Sequence, residues 1–283
     1  MIIYKKAADI NSFINKRKKD GLQIGFVPTM GALHNGHISL IETCKTTNAV
    51  TVCSIFVNPT QFNDPKDFEK YPATIENDIF LLESAGCDVL FLPSVEEIYP
   101  NGMQPTIHYD LGYLENILEG KYRPGHFQGV CQVVDRLLHI VHPDNFYLGQ
   151  KDYQQCMVLK KLIEITDMRI SVSICPTLRE TDGLAMSSRN VRLSETGRKT
   201  ATELFRQLNV IKEELKPGKT INNKQKAITR LSAEGFKVDY VEIANADTLQ
   251  PIEDWDGKTP AVGLIAAFLN EVRLIDNMIL ANE

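Results

Sequence analysis

The chain has 283 residues, of which 43% are hydrophobic and 24% charged, and its formal net charge is −5 at pH 7. This length and composition predict a globular protein with room for two domains, each with its own core. The acidic balance, with a pI of about 5.8, excludes the basic surface of a nucleic-acid-binding protein. No apolar run approaches the roughly 18 residues that span a membrane, so we expect neither nucleic acid nor a membrane as a partner.

The six cysteines are scattered along the chain without a CxxC pair. Several lie in apolar runs such as TVCSIFV, where cysteine behaves as a small buried hydrophobe. The first ten residues, MIIYKKAADI, lack the long apolar core of a signal peptide. These features predict a reduced, cytoplasmic protein.

Strands and helices are predicted to alternate over the first two thirds of the chain. The predicted helices cover residues 7–19, 74–85 and 125–141, with two more that end near residues 48 and 166. The predicted strands start at residue 24 and then cover residues 49–59, 88–93, 145–150 and 170–177. Residues 63–71 are expected to form a mobile loop, and residues 99–125, rich in Gly and Pro, allow no assignment. The alternation predicts an α/β fold with a Rossmann-like, doubly wound parallel sheet.

The order of elements changes after a polar break at residues 177–190. A helix at residues 194–216, the turn Pro217-Gly218 and a second helix ending at residue 234 follow. Two strand-like runs, at residues 238–245 and 263–277, close the chain. Helices followed by strands predict a smaller α+β domain. We therefore expect one domain at residues 1–176 and a second at residues 177–283.

Residues 24–40, IGFVPTMGALHNGHISL, carry the most informative motif of the sequence. An apolar strand, a glycine-bearing turn and a helix start follow one another, and a helix N-terminus attracts anions. His34 and His37 lie three residues apart on one side of the first turn, where each can donate a hydrogen bond or become a cation near neutral pH. Gly36 between them has no Cβ to obstruct a ligand. We interpret the motif as a nucleotide phosphate site.

Other interpretations of the two histidines remain open. A metal site would need a third ligand, and none of a suitable type is near in sequence. Either histidine alone could be a capping or surface residue. The motif is neither a Walker A loop nor a GxGxxG fingerprint. HxGH after a strand resembles the signature of the nucleotidyltransferase superfamily, which includes class I aminoacyl-tRNA synthetases.

Three further clusters suit the same chemistry. In Gly149-Gln150-Lys151-Asp152, which follows a predicted strand, the lysine suits a phosphate and the aspartate suits ribose hydroxyls. The alternative is a solvated loop in which the aspartate caps the next helix. Residues 186–189, MSSR, offer two hydroxyls and a guanidinium, although such a tetrapeptide alone is typical of a surface turn. Gln61 and Gln155 are neutral amides that could bind a hydroxylated acid, or could be exposed and idle.

Five segments, in this order and spacing, resemble the pantothenate synthetase family: PTMGALHNGH, FVNPTQF, RPGHFQGV, GQKDYQQ and ETDGLAMSSRN. The resemblance covers most of residues 25–190 and extends less sharply to RLIDN near the C-terminus. It implies a ligase that condenses (R)-pantoate with β-alanine at the expense of ATP, through a pantoyl adenylate, releasing AMP and pyrophosphate. It also implies Mg²⁺ dependence, a homodimer, nucleotide binding by residues 1–176 and a lid role for residues 177–283.

The resemblance also implies roles for individual residues. The ATP site would comprise Met30, Gly31, Ala32, Leu33, His34, Asn35, Gly36, His37, Gly149, Gln150, Lys151, Asp152, Leu178, Met186, Ser187, Ser188 and Arg189. Gln61 and Gln155 would bind pantoate, and Arg123 and His126 match further substrate-site positions with less defined roles. His37 would be the proton donor, with His34 and Lys151 as further catalytic residues. No metal ligand is assigned.

The sequence departs from the family pattern at a few positions. Gln150 stands where Glu is usual, which removes a negative charge beside Lys151. Gln132 and Arg136 replace the usual Thr and Lys after GHFxGV, and Asn270-Glu271 replaces a common Gly-containing pair. None of these changes removes a group expected to take part in the reaction.

Two other classes of function share parts of the pattern. A nucleotidyltransferase that stops after nucleotide transfer would share HxGH and the sheet, but it has no evident need for Gln61 and Gln155. A non-catalytic tRNA-related module would share the fold, because a fold does not fix a function. The acidic pI argues against the second class.

Overall fold

The structure is a computed structural model that describes residues 1–63, 65–104 and 107–281. Its chain divides into two compact units. The first comprises residues 1–149 and 158–176, and the second comprises residues 150–157 and 177–283. Residues 150–157 thus precede the expected boundary at residue 176 but pack with the second unit. In the part of the chain described, no helix is both long and apolar enough to cross a membrane.

A six-stranded parallel sheet forms the centre of the first unit, in the order β1-β4-β3-β2-β5-β6. Its strands are β1 (Ile2–Tyr4), β2 (Ile24–Thr29), β3 (Val50–Ile55), β4 (Val89–Phe91), β5 (Asn145–Gly149) and β6 (Ser171–Cys175). The helices of this part of the chain are α1 (Ala7–Lys19), α2 (Asn35–Thr47), α3 (Pro65–Glu69), α4 (Ile75–Ser84), α5 (Val95–Ile98), α6 (Leu118–Tyr122), α7 (His126–Val141) and α8 (Tyr153–Ile165). The predicted Rossmann-like α/β fold is confirmed.

The strand order places the candidate motif at the sheet's switch point. Strands β3 and β4 lie on one side of β2, and β5 and β6 lie on the other. Open α/β sheets bind ligands beyond the carboxyl ends of the strands where the order reverses in this way. Strand β2 leads directly into the loop that precedes His34.

Burial explains why these strands form. All six residues of β3 are buried, as expected for a central strand that is covered on both faces. Helix α2 packs on the sheet through Leu40, Ile41 and Cys44, which lie on one helical face. Helix α7 buries ten residues of its amphipathic sequence.

Two predictions for this unit need correction. Residues 63–71, expected to form a loop, contain helix α3. Residue 64 lies outside the described residues, and mobility of this segment stays a prediction. Strand β1 was not predicted, because three residues carry too little periodicity, and its pairing with β4 is a tertiary contact.

The second unit combines helices with a three-stranded antiparallel sheet in the order β11-β10-β8. Its elements after residue 177 are α9 (Glu195–Thr200), α10 (Glu203–Glu214), β7 (Gly218–Lys219), α11 (Ile221–Ala233), β8 (Lys237–Asn245), β9 (Asp254–Trp255), β10 (Ala261–Leu269) and β11 (Val272–Ala281). Leu204, Leu208 and Leu231 of the helices pack with Ile243 and Ile265 of the sheet in a separate core.

Both long elements predicted here are divided. The helix expected at residues 194–216 is α9 and α10, and the Thr202 hydroxyl between them donates to the Lys199 carbonyl at 2.8 Å, a bond that competes with the helix backbone. The strand expected at residues 263–277 is instead a hairpin of β10 and β11. Asn270 in its turn has a φ of 53°, which Asn tolerates better than most residues.

Candidate active site

A buried carboxylate shapes the loop between β2 and α2. Gly31 and Ala32 both have left-handed backbone conformations, with φ of 81° and 50°. Asp78 of α4, which is fully buried, accepts the N–H groups of Ala32 at 2.9 Å and Leu33 at 2.8 Å. A Cβ at Gly31 would lie 3.0 Å from both Asp78 Oδ2 and a methyl carbon of Ile55. Asp78 therefore fixes the loop through two backbone N–H groups, and a side chain at Gly31 would be strained by the positive φ and would press against Asp78 and Ile55.

His34 and His37 cap the helix that follows. The N–H of Gly36 donates to His34 Nδ1 at 3.1 Å, and the N–H of His34 donates to His37 Nδ1 at 3.3 Å. The ring centroids of the two histidines lie 4.1 Å apart. Because each Nδ1 is an acceptor, each neutral ring carries its proton on Nε2. The capping interpretation and the phosphate interpretation thus use different nitrogens of the same rings.

Gln61 lies in the same unit, in a 3₁₀ turn (Pro59–Gln61) after β3. Its side-chain oxygen accepts from Asn58 Nδ2 at 3.2 Å, and its Nε2 lies 3.3 Å from the sulfur of Met30. Asn58 is 1% exposed and also accepts from the Tyr99 hydroxyl at 2.8 Å. The contact with Met30 places Gln61 beside the loop that precedes the histidines.

Arg123 and His126 hold the turn that carries Gln61. His126 Nδ1 lies 2.8 Å from the Gln61 carbonyl and therefore donates to it, and an Arg123 nitrogen donates to the same oxygen at 3.4 Å. A Cβ at Gly129 of α7 would lie 2.3 Å from the Thr60 carbonyl, so this helix approaches the turn as only glycine permits. Arg123 and His126 thus support Gln61, and contact of either with a substrate stays a prediction.

Apart from Gly149, which ends β5, the remaining candidate residues belong to the second unit. Gln150–Asp152 form a 3₁₀ turn that leads into α8, and Lys151 Nζ lies 4.0 Å from Asp152 Oδ1. Asn277 of β11 donates from Nδ2 to the carbonyls of Gln150 at 3.0 Å and Lys151 at 2.8 Å. Gln155 is half-buried in the first turns of α8.

Leu178 and residues 186–189 are joined by backbone contacts. The Met186 N–H donates to the Leu178 carbonyl at 3.1 Å. Ser187 caps the 3₁₀ helix Ser188–Arg192 by accepting the Arg189 N–H at 3.2 Å. The tetrapeptide is therefore part of a hydrogen-bonded turn, and its predicted role in ATP binding is compatible with that geometry.

Three supporting residues were missing from the sequence-based site: Asn58, Asp78 and Asn277. Asn58 lies at the carboxyl end of a predicted strand, so its position was a usable signal. Asp78 interrupts the apolar face of α4, and Asn277 lies inside β11, but nothing local indicates which backbone groups they bind. The backbone groups that the side chains bind lie 45 and 46 residues away for Asp78, and 126 and 127 residues away for Asn277.

Among residues 1–63, 65–104 and 107–281, no group of three or more His, Cys, Asp or Glu side chains could hold a metal ion. The interpretation of His34 and His37 as metal ligands therefore has no support from the described residues. Mg²⁺ differs from zinc in this respect, because it is often bound by one carboxylate together with substrate phosphates. Asp152, with a side chain 49% exposed, is the carboxylate within the predicted ATP segments.

The parallel sheet and the HxGH motif at its switch point define a nucleotide-binding α/β protein. A family model described as pantoate–β-alanine ligase matches residues 2–279. The chain belongs to this family, and it is therefore a ligase that forms an amide bond.

Named relatives and solved structures agree with this assignment. Pantothenate synthetase of Cytophaga hutchinsonii is 45% identical and is covered over 99% of both chains. That of Porphyromonas gingivalis is 43% identical, over 98% of this chain and 99% of the relative. The structure of pantothenate synthetase from Thermus thermophilus matches all of both chains with a TM-score of 0.91 and 39% identity. Pantoate–β-alanine ligase from Francisella tularensis, solved with beta-gamma ATP and β-alanine, matches over 99% of this chain and 98% of that chain with a TM-score of 0.82 and 39% identity.

Proposed function

We propose that this protein condenses (R)-pantoate with β-alanine in two steps, through a pantoyl adenylate, and releases pyrophosphate and then AMP. Family membership supports the overall ATP-dependent ligation. The observation that carries the proposal is the paired His34 and His37, each with Nδ1 engaged by a backbone N–H, at the switch point of a parallel sheet. This arrangement supplies fixed Nε2–H donors where an anion would bind.

In the first step, a pantoate carboxylate oxygen attacks the α-phosphorus of ATP and pyrophosphate departs. Negative charge grows on the phosphate oxygens, so preorganised donors act most strongly in the transition state. We assign this stabilisation to His34, His37 and Lys151, with His37 as the proton donor. Ser187, Ser188 and Arg189 would hold the same phosphates.

Pantoate binding is assigned to Gln61 and Gln155. Gln61 is held on two sides, by Asn58 at its side chain and by His126 at its carbonyl. An amide side chain that is already fixed by hydrogen bonds loses less conformational entropy when it binds a ligand. Arg123 and His126 would therefore contribute to pantoate binding through Gln61, whether or not they touch a substrate.

In the second step, the β-alanine amine attacks the carbonyl of the mixed anhydride and AMP leaves. Water competes with the amine at this stage, so protection of the adenylate determines the yield. We assign that protection to residues 177–283 acting as a lid over the nucleotide-binding residues 1–176. This domain assignment stays a prediction.

We propose that Mg²⁺ arrives with ATP instead of residing in the protein. Asp152 is the carboxylate suited to hold it, because its side chain is exposed beside Lys151. When bound, the ion supplies positive charge to the phosphate oxygens. Undiminished catalysis with excess EDTA in place of Mg²⁺ would contradict this part of the proposal.

Two further properties are proposed on separate grounds. A homodimer follows from the family resemblance, and sedimentation should give twice the chain mass of 31.9 kDa. A cytoplasmic location is supported by the six cysteines, which are all free and buried, as is usual in reducing compartments. A monomer in sedimentation would reject the first property without affecting the reaction.

The overall reaction is tested by supplying pantoate, β-alanine and ATP and measuring the products. We expect pantothenate and AMP in equal amounts. Formation of ADP in place of AMP would contradict adenylation. AMP release that depends on pantoate but yields no pantothenate would instead favour a nucleotidyltransferase that stops after the first step.

A further inference from the structure

Strand β11 contains two adjacent buried polar residues. Asp276 is 4% exposed and Asn277 is 2% exposed, and successive residues of a strand face opposite sides of the sheet. Burial of a polar side chain is unfavourable unless its hydrogen-bonding groups are satisfied. The hydrogen-bond partners of these two side chains therefore indicate their role in the structure.

Both the nitrogen and the oxygen of the Asn277 side-chain amide form hydrogen bonds. Nδ2 donates to the carbonyls of Gln150 and Lys151, at 3.0 and 2.8 Å. Oδ1 accepts from Gln150 Nε2 at 3.2 Å. The two carbonyls belong to the peptide groups on either side of the Lys151 Cα. Fixing both groups fixes the local backbone of Lys151 and hence the direction in which its side chain leaves the chain.

Asp276 anchors the strand on which Asn277 lies. Arg179 donates two hydrogen bonds to the Asp276 carboxylate, at 2.7 and 2.9 Å, and a third to the Asn277 carbonyl at 3.1 Å. Burial raises the pKa of Asp276, and the two bonds from Arg179 oppose that shift. Arg179 directly follows Leu178, so the same ion pair also joins a second predicted ATP segment to β11.

We propose that Asn277 is a positioning residue for Lys151. Held by β11, it sets where the Lys151 ammonium meets the phosphates of ATP, and it never contacts the substrates itself. This inference rests on the role of Lys151 given under the proposed function. Gln150 belongs to the same arrangement, because its donation to Oδ1 turns Nδ2 toward the two carbonyls. The Glu usual at this position could not donate that bond.

The test is a double-mutant cycle between Asn277→Ala and Lys151→Ala. The rate measured is the exchange of labelled pyrophosphate into ATP with pantoate present. Asn277→Ala should lower this rate by about 10- to 100-fold, since a misplacement near 1 Å can cost about 100-fold. In the Lys151→Ala protein the same change should lower it less than about 3-fold, because no ammonium remains to be positioned.

The dissociation constant of ATP, measured by calorimetry for all four proteins, gives a second readout. It stays measurable when the exchange of the double variant is too slow to detect, and it should show the same pattern. A purely structural role for Asn277 would lower the exchange rate by the same factor in both backgrounds and raise the dissociation constant by the same factor in both, which would overturn the proposal. So would an unchanged rate in Asn277→Ala.

Two variants separate hydrogen bonding from shape and from stability. Asn277→Asp keeps the shape but places a carboxylate against two carbonyls, so its exchange rate should fall at least as far as in Asn277→Ala. A wild-type rate in this variant would reject the role of Nδ2. Asp256→Ala is the matched control, because Asp256 also holds two backbone groups, the N–H groups of Lys258 and Thr259 at 2.8 and 2.7 Å. It should lose stability and keep the exchange rate.

Failure of the proposed function would look different from failure of this inference. If the wild-type protein made no pantothenate, the proposed function would fall. The ATP-affinity cycle would still decide whether Asn277 acts through Lys151. If the wild-type protein is active and the cycle is additive, only the inference about Asn277 is wrong.

Discussion

At the scale of single residues, the two histidines divide structural and chemical work between their ring nitrogens. Nδ1 of His34 and of His37 accepts a backbone N–H at the start of α2. Placing a second proton on either ring would remove that acceptor and break the cap. The two caps therefore favour the tautomer of each ring that carries a proton on Nε2, and this nitrogen is the one assigned to the phosphates.

A matched pair of substitutions tests this division. In His37→Asn, a short amide can keep the acceptor near Nδ1 but cannot reach the position of Nε2. In His37→Gln, the longer amide can supply a donor near Nε2. We expect His37→Asn to lower kcat for pantothenate formation by about 10²- to 10³-fold while the melting temperature changes little. His37→Gln should retain more activity. A near-normal kcat in His37→Asn would show that His37 does not take part in the reaction.

The two glutamines give a prediction about substrate preference. Gln61→Ala and Gln155→Ala should each raise KM for pantoate more than KM for ATP. A neutral hydrogen bond contributes about 1 kcal/mol, which corresponds to roughly 5-fold in KM. Gln250→Ala, which removes an exposed glutamine of the second unit, is the control and should change neither KM. An effect limited to ATP would overturn the pantoate assignment.

At the scale of elements, the loop between β2 and α2 depends on a contact from α4. Asp78 accepts two adjacent N–H groups, so the helix acts as the support of the loop that leads to the histidines. Those two N–H groups are already bonded, and phosphate binding must use other donors. Preorganised loops of this kind reduce the conformational cost of binding.

Asp78→Asn tests that support. Its amide can accept one N–H, but its NH₂ group would face the other, so one buried N–H loses its partner. We expect the free energy of unfolding to fall by about 1–3 kcal/mol and KM for ATP to rise. Thr74→Val is the control, because it removes only the hydroxyl that donates to Asp78 at 3.0 Å and leaves both N–H bonds. Equal effects of the two variants on KM would argue against the support role.

The elements also show how far the sequence could be read. The parallel sheet was predictable because strands such as β3 are mostly apolar and rich in β-branched residues, and α7 because its apolar residues recur at helical spacing. The hairpin of β10 and β11 was missed because Asn270-Glu271 interrupts an apolar run without a Gly or Pro signal. The contacts of Asp78 and Asn277 could not be predicted, since they join segments that are distant in sequence.

At the scale of the whole molecule, the buried thiols lead to two predictions, one about chemical modification and one about stability at high pH. All six cysteines are free and buried, and burial raises the pKa of Cys44 to about 11 and that of Cys87 and Cys131 to about 12. Thiolates are the reactive form. A thiol reagent at pH 8 should therefore modify almost no cysteine in the folded protein and all six after unfolding.

The same shifts affect stability at high pH. Thiols of the unfolded chain ionise near pH 9, while those of the folded chain stay protonated, so the unfolded state binds fewer protons in this range. The contribution of these buried thiols to the free energy of unfolding is thus complete below about pH 9 and is lost between pH 9 and about 12. Denaturant midpoints should fall over that window. Rapid modification of the folded protein at pH 8 would contradict the burial on which both expectations depend.

The central claim concerns the order of the chemistry, and isotope exchange tests it most directly. With pantoate and ATP but no β-alanine, a protein that forms pantoyl adenylate must incorporate labelled pyrophosphate into ATP. We predict such exchange, and we predict that Lys151→Ala depresses it strongly because an ammonium balances charge on the phosphates. Exchange that appears only when β-alanine is added, in protein shown to make pantothenate, would contradict the two-step reaction.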